Sequence, residues 1–418
     1  MEATPRSRLE ANRVLVLSTV AFTLLFAVWL MLGVLGIPIK QELGLSKIQF
    51  SWLAAIAVLS GSLLRLPFGV LTDRFGGRRT MTAIMLAAAI PTYLLSTAHS
   101  FSEVLVYAIF FGIAGNSFSV GIAWNAAWCE RDRQGFALGT FGAGNVGASI
   151  TKLLGPALIA VPATGLLGGV VPGGWRLVPA VYAVLLVAMA FVVWYCTPRV
   201  DRLPGAGRSI ASLVEPLRKV RVWRFGLYYV IVFGAYVALS LWLPNYYVAV
   251  YGLSLSKAAF LTAFFIFPAS LLRPLGGWLS DRYGARPVTY AVFGAMLAAC
   301  VPLGLAKQSA GIDLWTFFTL VELLGVSMGI GKASVYKYIP EYFPRDVGLV
   351  GGLVGTLGAL GGFFLPLAFG YVEAWSRRPE SCFWVLFVLV ASSLAWLHRA
   401  VIVIRRNESR VAVSDVRG

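Results

Sequence analysis

Six ionisable side chains lie where an apolar chain has little use for them. Arg65, Lys152, Arg273, Lys332, Lys337 and Glu322 interrupt otherwise apolar runs of helical length. A charge near the centre of a bilayer costs from ~2.5 to more than 10 kcal/mol, so an intramembrane cation needs a partner or a task. One carboxylate cannot neutralise five cations, and the runs that carry the two arginines hold no Asp or Glu before the loops that end them. The missing negative charge is most simply a bound anion. Guanidinium presents a rigid planar fork, which suits a planar or bidentate oxyanion better than a compact halide. Sugars and cationic drugs fit badly, because nothing in them offsets the resident positive charge.

The elements that must position these groups follow from composition. Of 418 residues, 58% are hydrophobic and 13% charged, against about 45–50% apolar and about 25% charged in an ordinary soluble domain. A soluble enzyme is excluded. Apolar runs of roughly 20 residues, enough to span hydrocarbon as a helix, number twelve: 14–39, 47–71, 79–97, 102–128, 135–160, 177–197, 222–250, 256–279, 286–306, 313–341, 346–373 and 380–404. With the termini on one side, that side holds 23 of the 35 Lys and Arg, the other side 7, and the spans 5. Basic loops stay in the cytoplasm. The expectation is therefore a multi-pass protein of a bacterial inner membrane with both termini cytoplasmic, its net charge of +17 serving topology rather than nucleic acid. Cys129, Cys196, Cys300 and Cys382 form no CxxC pair, the two histidines stand beside helix ends, and no nucleophile, metal or dinucleotide motif is present. No enzyme chemistry and no cofactor is expected.

The chain repeats itself. Ser62-Leu-Leu-Arg65-Leu-Pro-Phe-Gly69-Val-Leu71-Thr-Asp73-Arg74-Phe-Gly76-Gly-Arg78 recurs 208 residues later as Ser270-Leu-Leu-Arg273-Pro-Leu-Gly-Gly277-Trp-Leu279-Ser-Asp281-Arg282-Tyr-Gly284-Ala-Arg286, with 10 of 17 positions identical. Duplicated halves are a common carrier architecture, with the substrate held between them at mid-membrane. The expected organisation is a six-helix bundle over 1–197, a basic linker over 198–221 and a second bundle, with a short tail, over 222–418. Arg65 and Arg273 each lie eight residues before an aspartate at a helix end. That is roughly 12 Å of helix, close to the midplane of a ~30 Å hydrocarbon layer. At the ends themselves, Asp73, Arg74, Asp281 and Arg282 can form ion pairs in one conformation and lose them in another, a cytoplasmic gate. The same loops can also be plain topological anchors with a tight glycine turn. Lys337, four residues before Glu341, reads as one half of an i,i+4 pair or as a snorkelling side chain.

Gly142, Gly144 and Gly147 in the fifth span and Gly355, Gly358 and Gly361 in the eleventh recur at helical spacing, which lets helices approach closely. Gly69-Val-Leu71-Thr-Asp73-Arg74-Phe-Gly76-Gly-Arg78 resembles the loop signature of the major facilitator superfamily. Gly139-Thr-Phe-Gly-Ala-Gly-Asn145-Val-Gly-Ala-Ser-Ile-Thr-Lys152 and the segment from Gly348 to Gly362 closely resemble the two nitrate signatures of the nitrate/nitrite porter family. Phe22 to Trp29, Asn116-Ser-Phe118, Tyr229 and Phe233-Gly234 add to the likeness. The resemblance implies an all-α major facilitator fold of twelve helices, working as a monomer. It implies that Arg65 and Arg273 clamp the anion, that Asn145 and Tyr229 add neutral hydrogen bonds, and that Phe118 and Phe233 wall the pocket. Lone aromatics are more often packing, the plainer reading of those two and of Trp29.

The tenth span, Gly329-Ile-Gly-Lys332-Ala-Ser-Val-Tyr336-Lys337, resembles the lysine-bearing branch, associated with nitrate/proton symport, whereas the other branch is associated with nitrate/nitrite exchange. A lysine near fixed guanidiniums gains a proton more readily once an anion has entered. Lys152 or Lys332 is thus the expected coupling group, with Glu322 next. The expected function is uptake of nitrate, with nitrite as a second substrate, coupled to protons. Antiport is the alternative, since an empty site with two unpaired guanidiniums resists occlusion. An oxyanion channel or a transporter-like sensor is more remote.

Overall fold

Residues 5–129, 134–162, 172–203, 218–305, 312–343 and 347–415 are described by a computed structural model of the chain. Among them, ten helical stretches are long and apolar enough to cross a membrane. The two remaining expected spans are filled by Gly77–Leu95 and by a broken helix, Gln134–Gly142 and Gly147–Ile159 joined by a 3₁₀ turn, Ala143–Val146. The result is the expected all-α membrane fold. The first helix begins at Pro5 rather than near residue 14, because proline favours a first helical turn and no breaker follows it. The last runs from Ser381 to Asp415, so the expected tail after Arg405 continues the helix. Between those residues stands no Gly or Pro to stop it.

The internal repeat is a repeat of backbone geometry. The second span comprises Lys47–Leu63 and Arg65–Phe75, the eighth Leu255–Leu271 and Arg273–Tyr283. Each opens on a serine, Ser46 or Ser254, whose hydroxyl accepts from the backbone N–H three residues on. Such a cap satisfies a donor the helix leaves free. Each breaks at one leucine, Leu64 or Leu272, and each ends on a glycine, Gly76 (φ +86°) or Gly284 (φ +87°). Side-chain-bearing residues avoid that backbone region.

The two turns differ in what covers them. A Cβ on Gly76 would lie 2.5 Å from the Asp201 carboxylate, because the chain leaving Leu177–Cys196 folds back over the turn. Asp201 Oδ1 accepts from the indoles of Trp124 (3.0 Å) and Trp128 (2.7 Å), and Oδ2 from the backbone N–H of Arg78 (2.9 Å). The start of the expected linker is therefore pinned to the first bundle; residues 204–217 of it lie outside the described residues. Losing a partly buried hydrogen-bond acceptor costs about 1–3 kcal/mol. Asp201→Ala should accordingly lower the thermal midpoint of the detergent-solubilised protein by several degrees, and Asp201→Asn should lower it less. An unchanged midpoint in Asp201→Ala would mean that the latch contributes nothing.

The halves meet through spans 2 and 11, 5 and 8, and 1 and 7. Toward the end of the molecule opposite the termini, Lys47 Nζ donates to Glu373 Oε1 at 2.8 Å across the seam. Trp52 meets Phe363 edge-on at 6.1 Å, and Phe50 lies 6.1 Å from Trp242. The seam is thus packed shut at that face. Nearer the middle, Ser149 Oγ donates to the Ala263 carbonyl.

Candidate functional site

The breaks at Leu64 and Leu272 place Arg65 and Arg273 at the first position of a new helical segment. Each guanidinium then reaches across the seam to the glycine-rich helix of the other half. Arg65 Nη1 donates to the Gly355 carbonyl at 3.2 Å, and Arg273 Nη1 donates to the Gly142 carbonyl at 3.4 Å. Arg65 Nε also donates to the Gly61 carbonyl, and Arg273 Nη2 donates to the Tyr229 hydroxyl at 3.3 Å. Neither guanidinium has a carboxylate within ion-pair distance among the described residues. Arg65 is 2% exposed, and its Nη2 is buried with no hydrogen-bond partner.

Aromatic faces hold these charges. Phe118 lies under both guanidiniums, 5.3 Å from Arg65 and 5.9 Å from Arg273. Phe233 lies 5.4 Å from Arg65 and stacks on Tyr229 at 5.1 Å. Ring faces are negative and stabilise a desolvated cation by about 0.5–2 kcal/mol each without neutralising it. Asn145 sits in the 3₁₀ turn of the fifth span, fully buried, with both side-chain polar atoms unpartnered. Unpaired buried amide atoms are expensive, so in a native protein they point to a ligand. Opposite them the seventh span swells into a π-helical turn, Val230–Gly234, next to Tyr229 and Phe233. Such turns carry an extra residue and recur at binding sites.

All six expected substrate-binding residues therefore converge. Three further residues belong with them. Tyr236 donates to the Asn145 carbonyl (3.4 Å) and shares a hydrogen bond with Ser270 (3.2 Å). Tyr336 meets Tyr229 edge-on at 4.8 Å. Trp29, read as packing, donates to the Ala57 carbonyl and also lies 5.5 Å from the Arg65 guanidinium. Helical spacing could have found the tyrosines: Tyr236 is three residues after Phe233 and Tyr336 four after Lys332, hence on the same faces.

Of the expected coupling residues, Lys332 joins the site. Its Nζ donates to the Ala269 carbonyl at 2.8 Å, lies 3.2 Å over the Tyr236 ring and 5.6 Å over Phe233. Lys152 is equally buried, but its Nζ reaches the Leu30 carbonyl at 3.4 Å, beside the break between Pro5–Trp29 and Leu32–Glu42. It lies seven residues, roughly 10 Å of helix, beyond Asn145. Glu322 lies ten residues, roughly 15 Å, from Lys332 along Leu314–Tyr342, and its Oε1 is buried without a partner. It is not brought to the arginines.

At the terminus-bearing end, Lys337 bonds to Asp281 and not to Glu341 as its spacing suggested. The end of the eighth span packs there against the tenth, which puts Asp281 within reach. Arg282 lies against the rings of Trp278 and Tyr283. Arg74 occupies the last turn of its helix, and the Asp73 side chain lies outside the described residues. The glycines act by close approach. Gly144 meets Phe22, Gly147 the Thr23 backbone, Gly358 the Tyr229 ring, and Gly361 Val230 and Gly234. Gly142 and Gly355 lie beside the two arginines.

The site can thus accept an anion between two unneutralised guanidinium forks, with an amide beside them and rings excluding water. Comparison with known proteins agrees in kind. The Major Facilitator Superfamily model matches residues 17–366 and 256–413. A Thermus thermophilus protein described as "Probable nitrate/nitrite antiporter NarK1" is 59% identical over 98% of this chain and 96% of its own length. The "Nitrite extrusion protein" of Bacillus subtilis is 32% identical over 82% of each. Among solved structures, a bacterial homologue of the human lysosomal transporter Spinster, inward-facing and occupied, matches with a TM-score of 0.70 at 19% identity, covering 96% of this chain and 95% of that one. A D-xylose–proton symporter matches with a TM-score of 0.70 at 13% identity, covering 93% and 97%.

Proposed function

The chain belongs to the nitrate/nitrite porter family of the Major Facilitator Superfamily, a membrane transporter and not an enzyme, and we propose that it carries nitrate, with nitrite as a second substrate, by alternating access. The observation that carries this reading is the pair of reciprocal arginines, one from each half, each bonded across the seam to a glycine carbonyl and neither paired with a carboxylate among the described residues. An anion bound between them draws both halves together. In this reading Arg65 and Arg273 clamp the oxygens, Asn145 and Tyr229 orient them, and Phe118 and Phe233 keep water out, which strengthens charge-assisted bonds. The names of the relatives support the substrate, and the excess of Lys and Arg on the terminus-bearing side supports cytoplasmic termini. The face closed by Lys47 and Glu373 is then the outer one. The bundles over 1–197 and 222–418 rock about the site, and the loops that carry Asp73, Arg74, Asp281 and Arg282 form the inner gate, with Asp281 held inside its own bundle by Lys337.

Coupling to protons rests on Lys332, buried among ring faces and within electrostatic reach of Arg273. An arriving anion stabilises the protonated lysine, and its departure releases the proton. A second reading, exchange of nitrate for nitrite, is favoured by the same unpaired guanidiniums, because an empty site leaves them without a counter-charge during reorientation. Proteoliposomes separate the two. An inward proton gradient should drive nitrate uptake into vesicles that contain no nitrite. Uptake seen only with internal nitrite would establish exchange, and no uptake under either condition would end the carrier reading. Lys332→Met should leave downhill nitrate flux measurable but abolish its acceleration by the proton gradient. An unaltered proton-to-nitrate ratio would remove Lys332 from coupling.

A further inference from the structure

The terminus-bearing end carries a second basic site that the transport path does not use. The chain leaving the sixth span folds over the Gly76 turn and forms with it an open cleft of about 350 Å³ lined by Arg78, Arg79, Arg199, Phe75, Trp194 and Leu203, among others. Arg78 is fixed in its wall. Its guanidinium lies 4.2 Å from the Trp194 ring and donates to the Trp194 and Arg199 carbonyls at 3.0 and 3.2 Å. The carboxylate in the lining, Asp201, is turned to other work, accepting from the Trp124 and Trp128 indoles and the Arg78 backbone N–H. Arg79 and Arg199 are exposed and form no ion pair among the described residues. Three guanidiniums thus share a cleft with one carboxylate whose oxygens are occupied.

The apolar lining says what kind of anion belongs there. Phe75, at the end of a membrane-crossing helix, is 53% exposed and Leu203, in the chain that leaves the sixth span, 45%, and at such helix ends basic pockets collect anionic headgroups. A free inorganic ion gains nothing from such walls, whereas an amphiphile places its acyl chains over them. We propose that this cleft binds the phosphate of an anionic phospholipid, with Arg79 and Arg199 flanking it and the fixed Arg78 guanidinium at its base. Bound there, the lipid ties the start of the third span to the chain that follows the sixth, and so holds the Asp201 latch closed. Among the described residues the second half shows no equivalent: a Cβ on Gly284 would meet only Pro287, and Arg286 bonds to the Tyr342 hydroxyl.

The test is native mass spectrometry of the purified full-length protein with equimolar phosphatidylglycerol and phosphatidylcholine. Wild type should retain phosphatidylglycerol at least fivefold over phosphatidylcholine. The double variant Arg79→Gln/Arg199→Gln should lose that preference, and Arg79→Lys/Arg199→Lys should keep it, since a point charge suffices for a phosphate. Arg377→Gln/Arg378→Gln, matched in charge at the opposite face, should behave as wild type. Equal retention of phosphatidylglycerol by wild type and the Gln variant would overturn the proposal. So would full displacement of the lipid by millimolar inorganic phosphate, which would make the cleft a free-ion site.

Discussion

Replacing Arg65 or Arg273 with lysine will cut nitrate uptake on the order of 100-fold, although the charge is kept. Each guanidinium spends part of its fork on protein: Arg65 on the Gly61 and Gly355 carbonyls, Arg273 on the Gly142 carbonyl and the Tyr229 hydroxyl. What remains, including the unpartnered Nη2 of Arg65, is left for the anion that the proposed clamp would hold. An ammonium has no planar fork and cannot serve the cross-seam carbonyl and an oxyanion together. Losing a charge-assisted hydrogen bond costs about 1.5–3 kcal/mol, which is a factor of ten to more than one hundred at about 1.4 kcal/mol per decade. Counterflow of labelled nitrate in proteoliposomes measures it. Wild-type rates in both variants would mean that the site recognises charge alone.

Gly358→Ala will be nearly as damaging, though residue 358 bears no charge and has no side chain to bind with. A Cβ there would stand 2.1 Å from Cδ1 of Tyr229, far inside contact distance. The ring has little room to yield, because it stacks on Phe233 at 5.1 Å and meets Tyr336 edge-on at 4.8 Å. Overpacking of this kind costs about 1–3 kcal/mol, and relief requires moving the hydroxyl that receives Arg273 Nη2. Uptake should fall by more than tenfold while the folded yield on size exclusion is largely kept. Gly352→Ala, on the same helix with nothing within 4 Å of its Cβ, should transport normally. Equal activity in the two would show that helix flexibility and not the Tyr229 contact limits transport.

Much of this was legible because the repeat is both chemical and geometric. Ser62 to Arg78 and Ser270 to Arg286 set the two arginines at equivalent places in the two halves, and the glycine spacing marked the helices they reach across to. Proline marks the neighbourhood of the single-residue breaks at Leu64 and Leu272, since Pro67 and Pro274 follow them and lack the N–H that would bond to Leu63 and Ser270, but periodicity alone could not say which residue leaves the helix. The π turn at Val230–Gly234 left no comparable mark, since Gly234 alone does not distinguish it from an ordinary helical turn. Partners distant in sequence were the other loss. Lys337 found Asp281 where Glu341 was the neighbour by spacing. Lys152 went to a carbonyl at the break in the first span, and Asp201, one of two acids in a basic linker, anchored the Gly76 turn. Tyr236 escaped notice because a tyrosine in an apolar helix resembles core until its hydroxyl is seen to bridge Asn145 and Ser270.

The most direct test of the arginine clamp is equilibrium titration of the purified protein with nitrate by calorimetry, wild type beside Arg65→Gln/Arg273→Gln. The clamp predicts one nitrate bound per wild-type chain and no measurable heat of binding in the double variant, with both proteins folded. Nitrate bound by the double variant with wild-type affinity would place the anion elsewhere and contradict the account.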